Sequence, residues 1–113
     1  MTRTLQAVSA AALLAVGLAT PAAAVTPEEL TLCEGLAATA AKTLAARYAG
    51  WPMTDAMQAA QGGRMAEAIV IDVYSMPLAT TDKAARGHVA AFMQNIYRIC
   101  VRAFYSAGTQ AGE

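Results

Sequence analysis

The sequence predicts an all-α fold: a small bundle of three to four helical segments. Its first and last helices run antiparallel or crossed and are joined by a Cys33–Cys100 disulfide. Three observations predict this. Beyond residue 24, apolar residues recur three and four positions apart, the period of one face of an α-helix. Turn formers separate these stretches, at Gly50–Pro52, Gly62–Gly63 and Pro77. Two cysteines, 67 positions apart, remain once an exported leader is set aside.

Residues 1–24 read as a secretory leader. Arg3 supplies the positive start, Leu5 to Leu18 is apolar and free of charge, and Pro21 breaks the run before Ala22-Ala23-Ala24. Cleavage is expected between Ala24 and Val25, which places the mature chain in the periplasm. The apolar run is shorter than the ~20 residues a span needs, so no stable membrane insertion is expected after cleavage. Cys33 is not the cysteine of a lipoprotein. Leu32 precedes it, and Pro27-Glu28-Glu29 separates it from the apolar run.

The rest divides into one helical domain, residues 25–105, and a polar tail, residues 106–113, expected to be flexible. Arg3 leaves with the leader, so eight acidic residues slightly outnumber the remaining bases. Nothing in that balance would neutralise a row of phosphates, and no polybasic stretch would hold a membrane surface. Charged residues are only 14% of the chain. A small domain with so little charge is expected to cover part of its surface with a partner protein or with itself. In an oxidising compartment, an even cysteine count reads as a disulfide. Closing a loop of that length stabilises by about 4 kcal/mol in the chain-entropy account. The spacing does not suit a redox pair, whose thiols sit about two residues apart.

The first helix is expected over about Pro27 to Ala49. Thr26 caps it, Pro27 suits its first turn and Glu29 completes a capping box. Cys33, Leu36, Ala37, Ala40, Leu44 and Tyr48 form one apolar stripe, and Gly50 and Pro52 end it. Thr54 is the expected cap of a short second segment, which Gly62-Gly63 interrupts. The third, "RMAEAIVIDVYSMP", has a β-branched centre at Ile69-Val70-Ile71. Met65, Ile69, Val73 and Met76 nevertheless fall at helical spacing, and no second strand exists to pair with. It is expected to be the central, most buried helix, stopped by Pro77.

The last helix starts at Thr80-Thr81-Asp82 and runs to about Tyr105. Ala85, Val89, Phe92, Ile96, Ile99 and Ala103 make its core stripe, widened by Met93, Cys100 and Phe104. If only three helices alternated up and down, the first and last would be parallel, and Cys33 and Cys100 would lie about 20 Å apart along the axis. A disulfide spans at most ~7 Å between Cα atoms. The outer helices must therefore be antiparallel or crossed, with Gly62-Gly63 supplying the extra reversal.

Candidate chemistry is sparse. His88 is the only histidine, and Ser75 and Ser106 stand in no nucleophile context, so no catalytic residues are assigned and no cofactor is expected. Trp51, beside Pro52 and Met53 in an interhelical loop, is the candidate anchor for a partner, or else a lid over one end of the bundle. Met53 and Met57, four residues apart, offer thioethers that with His88 would suit Cu(I). Methionines at helical spacing also serve simply as core filling. Asp72, between Ile71 and Val73, either faces solvent with Glu67 or needs a buried cation such as Arg47, His88 or Arg98.

The stretches "LCEGLAATAAKTLAARYAGWPMTDAM", "AEAIVIDVY" and "NIYRICV" carry a resemblance. With a Cys early in the first helix, the Gly50-Trp51-Pro52-Met53 turn and the Tyr97-Arg98-Ile99-Cys100 ending, the chain resembles small exported helical proteins of proteobacteria that have no assigned function. That resemblance implies a helical fold and an exported address, and no activity. In size, disulfide count and helical class the chain is also similar to acid-stress chaperones of the HdeA type. The expectation is a non-enzymatic interaction, inhibitor or accessory module whose partner is an unidentified periplasmic protein or a second copy. The alternatives are a periplasmic stress chaperone and a Cu(I)-binding protein.

Overall fold

The computed structural model describes the backbone of residues 24–111 and the side chains of residues 24–108. The leader expected over residues 1–24 lies outside these, apart from Ala24. Four helices and no strand occur among the described residues: α1, Pro27–Tyr48; α2, Met53–Ala59; α3, Arg64–Ser75; and α4, Asp82–Ala111.

α1 begins on the expected capping box. Thr26 Oγ1 accepts the Glu29 N–H at 3.1 Å, and Glu29 Oε1 accepts the Thr26 N–H at 2.9 Å. Its other end closes on a Schellman turn. Gly50, at φ +96°, donates its N–H to Arg47 O, and Trp51 donates its N–H to Ala46 O. An L side chain rarely adopts that φ, so the glycine is what lets the chain leave α1 sharply. Gly62, at φ +90°, plays the same part between α2 and α3.

The start of α2 differs from expectation. Thr54 is not its cap. Pro52, in extended conformation, occupies that position, and its carbonyl accepts the N–H groups of Asp55 and Ala56. The helix thus begins at Met53, with no side-chain cap. α3 is helical through its β-branched centre and buries Ile69, Val70 and Val73. It is not the central helix, however. Met65 and Ile71 on its outer side are 58% and 50% exposed. α1 holds the central place and packs against all three others, most extensively against α4. Apolar residues all round a helix did not mean burial all round here, because among the described residues α3 has helix neighbours, α1 and α2, on one side only.

Thr81 begins α4, its Oγ1 accepting the Ala84 N–H at 3.1 Å. The helix does not stop at Tyr105 but continues to Ala111, through much of the segment expected to be a flexible tail. No proline follows Tyr105 and Gly108 does not turn to positive φ, so nothing local breaks the ladder. The expected core stripe also shifts. Phe92 and Cys100 are buried, whereas Ile99 is 55% exposed and Ala103 is exposed too. A strict seven-residue repeat drifts about 20° per heptad on a straight helix. Cys100, fixed toward α1, turns Ile99 about 100° away from it.

α1 and α4 are antiparallel. Cys33, early in α1, meets Cys100, late in α4, with Cα atoms 5.5 Å apart. At the opposite end Tyr48, the last residue of α1, meets His88 near the start of α4. α3 lies across one side of this pair. The core is Ala40 and Leu44 of α1, Ile69 and Val73 of α3 and Phe92 of α4, with Leu36, Val89 and Ile96 partly buried around it. Asp72 points to solvent, the milder of its two readings.

Candidate functional site

The chain around Trp51 is held by its backbone and open at its side chain. The Trp51 N–H is committed to Ala46 O, and Tyr74 Oη donates to Trp51 O at 2.6 Å. The indole itself is 49% exposed. It walls a groove of about 490 Å³ between α1 and α2, with Ala45, Ala46, Ala56 and Ala59 as floor and Lys42 and Thr43 along one side. A second hollow of about 400 Å³ shares Lys42, Thr43, Ala56 and Ala59 and continues the groove toward Gly63. Four alanines make this seam: short side chains cannot fill the space between two helices, and a hollow remains.

The groove holds little polar chemistry. Thr43 spends its hydroxyl on Thr39 O at 2.7 Å. Lys42 is exposed, and its ammonium has neither ion pair nor hydrogen bond among the described residues. The arrangement suits an apolar group with an acidic neighbour: an aromatic wall on a hydrogen-bonded backbone, a small-residue floor and one cation unpaired among the described residues. Pro52 and Met53 are exposed beside the groove.

His88 is occupied elsewhere. Its Nδ1 lies 2.6 Å from Tyr48 Oη, with the two rings edge to face at 5.7 Å between centroids. Tyr48 Oη also accepts the Ala79 N–H at 2.8 Å. One hydroxyl therefore ties the end of α1 to the α3–α4 connection and to α4. Tyr48→Phe removes both bonds and leaves a part-buried N–H without its acceptor. It is expected to cost about 1–2 kcal/mol in urea unfolding. Met53 and Met57 lie one turn apart on α2, Met57 half-buried, and α2 packs on α1 and α3. Among the described residues no three of His, Cys, Asp and Glu gather around a common point, a count in which thioether sulfurs take no part. Ser75 donates its hydroxyl to Ile71 O, one turn back in its own helix.

Two roles at this end of the molecule are not read from the sequence, where Arg47 stands only as a candidate partner for Asp72 and Tyr74 is given none. Arg47 donates from Nη1 to Val73 O, and to Met76 O at 2.6 Å, with its guanidinium 5.3 Å from the centre of the Tyr74 ring. Tyr74 in turn holds the Trp51 carbonyl. The available signal was a lone arginine in the last turn of α1 and a third helix lacking a basic last turn of its own.

No protein-family model, curated protein or solved structure matches the chain. What defines it is therefore its own geometry: a small all-α domain, joined end to end by a disulfide, with an open alanine-floored groove beside its only tryptophan.

Proposed function

We propose that this chain is a small exported protein of the periplasm, cleaved after Ala24, which acts without catalysis as a protein-interaction module of inhibitor or accessory type. Its docking site is the α1–α2 groove. The occupant is a segment of a partner protein that presents an apolar side chain next to a carboxylate, the first against Trp51 and the alanine floor and the second to Lys42. The observation that carries this reading is Trp51 itself: a half-exposed indole on a backbone fixed by two hydrogen bonds. The backbone of such an anchor loses little freedom on binding and only the two torsions of the indole remain to be fixed, which is how a few aromatic residues come to dominate an interface. The disulfide agrees with an oxidising compartment, and no helix among the described residues is long and apolar enough to cross a membrane.

The test uses the oxidised mature chain with a C-terminal tag, incubated with extract of its own periplasm and read by native mass spectrometry. A protein retained by the wild-type chain, but held at least about tenfold less tightly by both Trp51→Ala and Lys42→Glu, supports the reading. Because Trp51 is the only tryptophan, its emission should also move to shorter wavelength in that complex. Equal retention by wild type and Trp51→Ala removes the groove from the account.

A further inference from the structure

α2 and α3 cover only one side of the α1–α4 pair. On the other side, two hollows run along the seam between α1 and α4. One, of about 490 Å³, is bordered by Glu34, Ala37 and Ala38 of α1 and by Met93, Tyr97 and Arg98 of α4. The other, of about 320 Å³, is bordered by Ala45 and Tyr48 of α1 and by Ala85, Arg86 and Val89 of α4. No residue of α2 or α3 borders either one. Between the charged positions this face is alanine, methionine, tyrosine and valine, with one exposed glutamine, Gln94.

We infer that this uncovered face binds a second copy of the chain. The two copies pack back to back about a twofold axis parallel to the helices, so that their α1–α4 pairs form an antiparallel four-helix bundle with α2 and α3 outside. Two arguments select a second copy as the occupant. The first is charge. Cys33 pairs with Cys100, so Glu34 and Arg98 stand at almost the same height, on neighbouring helices, and both border the same hollow. Among the described residues Glu34 has no ion-pair partner of its own, and Arg98 is held only by Asn95 Oδ1 at 2.8 Å. A twofold axis along the helices lays α1 over α4 of the second copy and keeps heights matched. Glu34 of each copy then meets Arg98 of the other, the self-complementarity that a twofold interface requires. The second is area. The 22 residues of α1 make a face about 33 Å long, and two adjacent helices are about 20 Å wide. That is roughly 650 Å² per copy and roughly 1,300 Å² for the pair, within the 1,200–2,000 Å² of specific interfaces. The exposed Ala38 and Ala45 let the helices of two copies approach closely.

The experiment is sedimentation velocity of the oxidised mature chain over a range of micromolar concentrations, on wild type, Glu34→Arg, Arg98→Glu and the double exchange. Both positions are exposed, so the variants leave the core untouched. The wild type is expected to dimerise. Each single reversal sets like charges together twice per dimer and should weaken it roughly a hundredfold. The double exchange should restore the dimer. Trp51 borders neither hollow, although its groove shares Ala45 with this face, so Trp51→Ala should dimerise as the wild type does, which separates this interface from the α1–α2 groove. A wild type that stays monomeric throughout, or a dimer indifferent to the single reversals, overturns the proposal.

Discussion

A Cys33→Ala/Cys100→Ala double variant is expected to lose about 4 kcal/mol of stability and about 20 °C of melting temperature. The bridge closes a loop of 67 positions, so its removal frees most of the unfolded domain. A domain of this size has about 4–12 kcal/mol in total. The variant is thus expected to be marginal at 37 °C. Geometry adds a local signature. α3 supports α1 and α4 around Leu44 and Phe92, but Leu32 and Ile99, at the disulfide end, are 51% and 55% exposed. There the two helices have mainly each other and the bridge. Hydrogen exchange in the double variant should therefore rise first at the start of α1 and over the last third of α4, ahead of the amides around Leu44 and Val73. Urea and thermal unfolding, followed by circular dichroism on the oxidised wild type and the double variant, measure the size of the effect. A loss below about 1 kcal/mol would mean that helix packing alone closes the chain. Cys33 is fully buried, so in the wild type a reductant should act only as fast as this end opens.

The parts of the structure that were legible in sequence are those whose causes are local. The capping box at Thr26 and Glu29, the glycine at the end of α1 and the stop before Pro77 each depend on a few neighbouring residues. The antiparallel arrangement was legible for a different reason. A disulfide has a short reach, and that one constraint excluded the parallel alternative. What could not be read is what depends on neighbours distant in sequence. Ile69-Val70-Ile71 looked like the middle of a fully buried helix, yet Ile71 faces outward because none of the four described helices packs on that side. Ile99 fitted a regular stripe, yet the bridge at Cys100 sets the rotation of α4 and turns it out. At the candidate site, Trp51 was identifiable as a loop tryptophan. Its groove was not, because the groove arises from alanines on two helices that meet only in the fold. Lys42 carried no signal of its own for the same reason.

Arg47 is the clearest case of a role set by tertiary contact, and Arg47→Met is expected to cost about 3 kcal/mol. An α-helix leaves its last four carbonyls without intrahelical partners. α3 has no basic residue in its last turn, ends at Met76 in extended conformation and runs into Pro77. It therefore cannot cap itself with a glycine turn. The guanidinium of Arg47, coming from α1, supplies what is missing by donating to Val73 O and Met76 O. Hydrogen bonds from a charged donor contribute about 1.5–3 kcal/mol, and a part-buried carbonyl left unpaired adds a cost of its own. The contact with the Tyr74 ring contributes about a further 0.5–1 kcal/mol. Methionine keeps most of the apolar stem, so the difference reports on the head group. Arg47→Lys should recover only part of the loss, because one ammonium cannot span two carbonyls and lie along an aromatic face as a planar guanidinium does. Urea midpoints for the three proteins should fall in the order Arg, Lys, Met. The loss should also reach the groove. Tyr74 holds the Trp51 carbonyl, so in Arg47→Met the Trp51 emission should broaden and shift before global unfolding begins. A variant with wild-type stability and an unchanged Trp51 spectrum would mean that water caps α3 and that Arg47 is incidental.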